Sequence, residues 1–152
     1  SPNSVSRHSG YARQGTAPTV PAPATHPRHT MLNSRPLYPA CPIDPQLRST
    51  ADPVVLVNLF SVAEADIPSR MSAWEKDAHW MKQQPGFLST QLHRAMGGSH
   101  MFKNCAQWES VDPFRTAFTH PDFVSALAAC PSSADAQPHL FAKVAVPNLC
   151  AA

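Results

Sequence analysis

The sequence lacks three things that would each mark a large class of functions: a long apolar run, a cluster of like charge and a pair of closely spaced cysteines. No apolar stretch approaches the roughly 20 residues that cross a bilayer as a helix, and the N-terminal segment lacks the apolar core of a secretory signal. No membrane partner is expected, and the expected location is cytoplasmic. Twelve Lys and Arg against ten Asp and Glu give a formal net charge of +2. Without a run of basic residues there is no electrostatic footprint for a phosphate backbone, so nucleic acid is not an expected partner. The four cysteines, Cys41, Cys105, Cys130 and Cys150, form no CxxC pair and have no histidine at zinc-ligand spacing. They are read as free thiols, no metal site is expected, and Cys105 is read as a small core residue rather than a nucleophile.

Proline is what the chain has in excess, and it is unevenly spread. Ten of the 17 prolines fall at or before Pro53, a density that rules out regular helices and central strands. Residues 1–53 are therefore expected to form a largely extended or disordered arm. Before Met31 the arm is rich in Ser, Pro and Arg and poor in acids, a composition shared with organellar transit peptides and equally compatible with sequence preceding a start at Met31. From Leu32 to Pro53 single apolar residues such as Leu37, Tyr38, Ile43 and Leu47 alternate with prolines, which suits an extended segment lying on a surface. The folded domain is expected over 54–146, with 147–152 as a C-terminal tail.

At Val54 the pattern changes. Val54 to Phe60 is a β-branched apolar run of strand length. Asp66 is placed to cap a helix with Pro68 in its first turn, and Met71, Trp74, Ala78 and Met81 recur at helical spacing until Gln84. Pro85 and Gly86 make a turn, and Phe87 to Ala95 read as a second strand with Ser89, Gln91 and His93 on one face and Thr90, Leu92 and Arg94 on the other. Gly97, Gly98 and Ser99 form a hairpin to a third strand, His100 to Glu109. A second helix starts at Ser110 and Pro113 and resumes after Pro121, 131–138 reads as loop, and Leu140 to Val146 as the last strand. The order βαββαβ is that of the ferredoxin-like fold, an α+β antiparallel sheet with both helices on one face. The uncovered face has to be buried, because a large exposed apolar patch is rare on a monomer. A homodimer joined through that face, forming an α+β barrel with cavities inside, meets the requirement.

In the third strand Asn104, Ala106 and Trp108 share a face by alternation. Asn104 and Trp108 stand about 13 Å apart, four steps of roughly 3.3 Å, a span that their side chains and a flat polycyclic ligand could bridge. Read from spacing alone, Trp108 is as well explained as core. His93 is the candidate acid or base, since histidine titrates near neutral pH, and it reads equally as a surface or dimer-contact residue. Trp74, with Met71 and Met81, is read as core. The apolar and amide side chains Asn58, Phe60, Ala106, Phe114 and Phe118 are the candidate substrate-binding residues.

The string GFLSTQLH at Gly86 to His93, followed by NCAQWES at Asn104 to Ser110, resembles the antibiotic biosynthesis monooxygenase family of dimeric α+β barrels. The resemblance covers roughly Val54 to Val146 and implies an enzyme that oxidises a polycyclic phenol, quinol or anthrone to a quinone with dioxygen, without flavin, haem or metal. It places Asn104 and Trp108 on the pocket wall as the functional pair, the amide holding the anionic or oxygenated substrate and the indole orienting the ring. Where cofactor-independent members carry a tyrosine one helical turn later, this chain has Phe114. Asn58 matches a residue of the haem-degrading branch, but Ala117 and Leu127 stand where that branch has its pocket tryptophan and haem-ligating histidine, so haem is not expected. The alternative function is a non-oxygenase pocket protein of the same fold, a cyclase, isomerase or ligand-binding partner, since fold does not fix chemistry. A third is an interaction module using the proline-rich arm.

Overall fold

The computed structural model describes residues 33–152, and the expectations for earlier residues lie outside that range. In chain order the elements are β1 (Asn33–Ser34), α1 (Ile43–Gln46), β2 (Val54–Ser61), α2 (Ile67–Lys82), β3 (Phe87–Arg94), β4 (Met101–Trp108), α3 (Val111–Phe118), α4 (Pro121–Ala126) and β5 (Asp135–Ala142). The sheet runs β1-β5-β2-β4-β3. From β5 to β3 every pairing is antiparallel, and β1 joins the outer edge of β5 in parallel. Apart from β1 and α1, this is the βαββαβ arrangement read from the sequence. No helix among the described residues is long and apolar enough to cross a membrane.

Register sorts the side chains into two faces. Val54, Leu56, Asn58 and Phe60 of β2 lie opposite Trp108, Ala106, Asn104 and Phe102 of β4. Thr90, Leu92 and Arg94 of β3 pair with Ala106, Asn104 and Phe102, so they share this inner face. The helices cover it. Phe114 and Ala117 of α3 pack with Trp108 and Val54, while Ile67, Met71 and Trp74 pack on Phe60 and Phe102. The outer face carries Val55, Val57, Leu59 and Cys105, with Met101 and Phe141 each 44% exposed.

Three local expectations are corrected. The last strand is Asp135–Ala142 rather than Leu140 to Val146, and Pro138 lies inside it. The Leu140 N–H points away from β2, to Gln46 Oε1 at 2.7 Å, so by alternation the Pro138 nitrogen also faces the outer edge, where a missing donor costs no ladder bond. The segment before Val54 is not simply extended: Ile43–Gln46 makes a helical turn, and Gln46 and Leu47 are buried. Gln46 Nε2 donates to the carbonyls of Cys41 (2.8 Å) and Pro42 (3.1 Å) and lies 3.0 Å from His139 Nδ1. This glutamine thus takes over the edge of β5 beyond the end of β1, a site that would otherwise be an open strand edge. Asp66 does not cap α2 with its side chain, which instead accepts from the Ser133 hydroxyl.

Candidate functional site

The inner face and the helices line a partly open cavity of about 270 Å³. It lies within one chain, between sheet and helices, rather than between two sheets of a dimer. One wall is aromatic because β4 and α3 each bring a large ring to the same place. Trp108 meets Phe87 edge-on at 5.4 Å and Phe114 at 5.7 Å, Phe114 stacks on Phe118 at 5.2 Å, and Phe118 meets Phe123 at 5.8 Å. Such tilted and edge-to-face contacts are favourable for rings with negative faces and positive edges. Trp108 is 1% exposed, so it is core and cavity wall at once.

Two amides stand side by side on the floor. Asn58 and Asn104 are direct cross-strand partners, which puts their Cβ atoms about 5 Å apart. Asn104 Oδ1 accepts from the Thr90 hydroxyl at 2.6 Å, and Asn58 Oδ1 accepts from the Gln137 N–H at 3.1 Å. With both oxygens engaged, each amide is held with its NH2 group as the remaining donor. The cavity floor therefore offers two fixed donors to one region of a ligand.

The far end, toward Phe60, is charged. Arg70 of α2 is 3% exposed, and its Cζ lies 4.3 Å above the Phe60 ring, which in turn stacks on Phe102 at 5.3 Å. Its Nε and Nη1 are buried without a hydrogen-bond partner. Burial lowers the Arg70 pKa, an effect opposed by the nearby Cys130 and Asp77. Burial also pushes the Asp77 carboxyl up to about 6, although the Arg70 charge pulls the other way. Asp77 lines the cavity and is thus an acid able to hold or release a proton near neutral pH.

The structure brings Asn58, Asn104, Ala106, Trp108, Phe114 and Phe118 together on the cavity wall. Two candidates fall elsewhere. His93 pairs with Lys103 on the outer face, its Nδ1 3.3 Å from the Lys103 carbonyl, so it cannot reach a ligand held by Asn104. Phe60 is buried beneath Arg70 and supports the wall without forming it. Trp74, expected in the core, lines the cavity. Arg70 and Asp77 were missed, yet the signal was present: residues 70, 74, 77, 78 and 81 follow the i, i+4, i+7, i+8, i+11 stripe of a helix, so two charges sit on an otherwise apolar face. Among the described residues no three His, Cys, Asp or Glu side chains gather as metal ligands would.

An α+β domain with helices on one face of an antiparallel sheet and an aromatic cavity between them belongs to the class of ferredoxin-like domains. The model of the antibiotic biosynthesis monooxygenase family matches residues 53–129, just over half of the chain, and the chain belongs to that family. Among solved structures it is similar to SnoaB, a cofactor-independent oxygenase from Streptomyces nogalater, with 28% identity and a TM-score of 0.58 over 64% of this chain and 99% of that one. A candidate monooxygenase from Shewanella loihica is 31% identical, with a TM-score of 0.54 over 64% of this chain and 99% of that one. A Caulobacter crescentus member at 19% identity and a TM-score of 0.57, covering 62% of this chain and 92% of that one, shares the fold. No curated protein sequence matches significantly. The family and the Streptomyces nogalater and Shewanella loihica neighbours support a monooxygenase-type function.

Proposed function

We propose that the protein is a cofactor-independent monooxygenase that oxidises a polycyclic phenol, quinol or anthrone-type aromatic to a quinone with dioxygen. The observation that carries this reading is the pair of fixed amide donors, Asn58 and Asn104, on the floor of an aromatic cavity. Such a substrate supplies its own electrons. Loss of the phenolic or enolic proton leaves an electron-rich ring that passes one electron to dioxygen, and the two radicals combine at carbon. The resulting hydroperoxide loses water to leave a carbonyl, so that for an anthrone one CH2 and one O2 become one C=O and one H2O. The protein's tasks are to hold the ring flat between aromatic walls, to favour the oxyanion through preorganised donors and to exclude water. Asn104 and Asn58 stabilise the oxyanion, and Trp108 orients the ring. The homodimer through the outer sheet face belongs to the same proposal, with Met101 and Phe141 in the contact. Sedimentation at micromolar concentration should show a dimer, and a stable folded monomer would overturn that part.

The functional reading is tested by oxygen uptake on the purified full chain with anthrone and quinol substrates. Protein-dependent uptake of one O2 per quinone formed from the anthrone is expected. Tight binding of the anthrone without uptake would instead mark a pocket protein of the same fold, a cyclase, isomerase or carrier.

A further inference from the structure

A buried guanidinium that makes no direct ion pair is an unusual thing for a fold to retain. Arginine cannot shed its charge, and each of its five N–H groups expects an acceptor. Here Arg70 takes part in none of the ion pairs of the described residues, and two of its nitrogens have neither solvent nor acceptor. The Phe60 ring beneath it compensates in part, as an aromatic face does for a cation. Yet Phe60 offers no acceptor for the in-plane N–H groups. Breaking or omitting the partner of a buried charge is costly, and the cost falls on a residue that forms part of the cavity wall. Nη2, which is not buried in that way, is the nitrogen through which the guanidinium reaches the cavity, and an anionic ligand there can supply it with an acceptor.

Position narrows the ligand. Phe60, which marks Arg70, lies two residues along β2 from Asn58, about 7 Å, while the aromatic wall at Trp108 lies the other way. A flat ring system against that wall, with its reacting oxygen at the two amides, would extend its far edge toward the guanidinium. We propose that Arg70 is the anion-recognising residue of this cavity and that the substrate is an aromatic acid, its carboxylate held by Arg70 while its phenolic or keto oxygen lies at Asn58 and Asn104. This rests on reading the cavity as an aromatic-substrate site. Asp77 does not block the arrangement, because a carboxylate on Arg70 withdraws the charge that lowers the Asp77 pKa and so makes its neutral form easier to reach.

The test is binding of anthracene carboxylate and of the matching carboxamide to the full chain, followed by quenching of tryptophan fluorescence. Wild type should bind the carboxylate at least about tenfold more tightly than the amide, the size expected of a charge-assisted hydrogen bond. Arg70→Met should remove that preference while leaving amide affinity nearly unchanged. Arg94→Gln, at the exposed cation 5.6 Å from the other ring of the stacked pair, should keep the preference. Equal binding of the two ligands by wild type overturns the proposal and leaves the monooxygenase reading standing, and this comparison needs no variant to fold. A preference lost in Arg94→Gln but kept in Arg70→Met overturns it as well. If neither ligand binds, the cavity reading fails and the proposal fails with it.

Discussion

Gly86 sets the distance between the two halves of the aromatic wall, and replacing it with alanine should be among the more damaging single-atom additions in the domain. The residue sits between α2 and β3 at φ +84°, and its carbonyl accepts from the Glu109 N–H at 2.8 Å. A Cβ built on it would meet Pro113 Cβ at 2.5 Å and Cγ at 2.6 Å. Both distances are about 1 Å or more inside the contact separation of roughly 3.5–4.0 Å for carbon atoms. Relief requires the start of α3 to move away from the turn, and with it Phe114 from Trp108 and Phe87. The left-handed backbone alone costs about 1–2 kcal/mol for a residue with a Cβ, and overpacking adds about 1–3 kcal/mol. Gly86→Ala should therefore lose about 2–5 kcal/mol in urea unfolding, with an unchanged slope. A double-mutant cycle with Pro113→Gly, which removes both clashing atoms, separates the parts. The steric component should disappear in the cycle and the backbone component should remain. A loss below about 1 kcal/mol, or a cycle with no coupling, would refute the argument that this close approach positions the wall.

Asn104→Ala should lower kcat more than it weakens binding, because its donor is used most as negative charge develops, and Thr90→Val, which frees the Asn104 amide to turn, should lower kcat by a smaller factor; steady-state oxygen uptake checks both. Asp77→Asn should raise Tm at neutral pH but not near pH 4. The Asp77 pKa is raised to about 6 from 3.8, so the folded state loses stability as pH climbs between those values, and a Tm difference that grows on acidification would reverse the sign. Gln46→Ala should cost about 1–3 kcal/mol, since it leaves the half-buried Leu140 N–H and two carbonyls without their partner, and hydrogen exchange at Leu140 should accelerate.

What was legible in the sequence was periodic. Alternation through Asn104, Ala106 and Trp108 put these three on one face of β4, the face that lines the cavity, and the glycine hairpin fixed its neighbour. His93 lies on the outer face beside Lys103, which agrees with its reading as a surface or dimer-contact residue; which face looks into the cavity depends on pairing register, and a one-residue slip exchanges faces. Between Phe87 and Ser89 the β3 ladder is irregular, a shift that no residue type there announces. Strand β5 was obscured by Pro138, which reads as a breaker until its outward edge is known. Arg70 and Asp77 do not stand out when the helix is read by its apolar residues alone. The charges on the same stripe were the informative exception, since burying them is unfavourable without a partner.

The most direct test of the central claim is a turnover of an anthrone substrate by the purified chain under isotopically labelled dioxygen, with product and water analysed by mass. The account predicts protein-dependent quinone in which one oxygen atom of each O2 appears at the new carbonyl and the other in water, with the rate falling sharply when Asn104 is replaced by alanine. Quinone formed at the uncatalysed rate, or a new carbonyl oxygen incorporated directly from water, would contradict it.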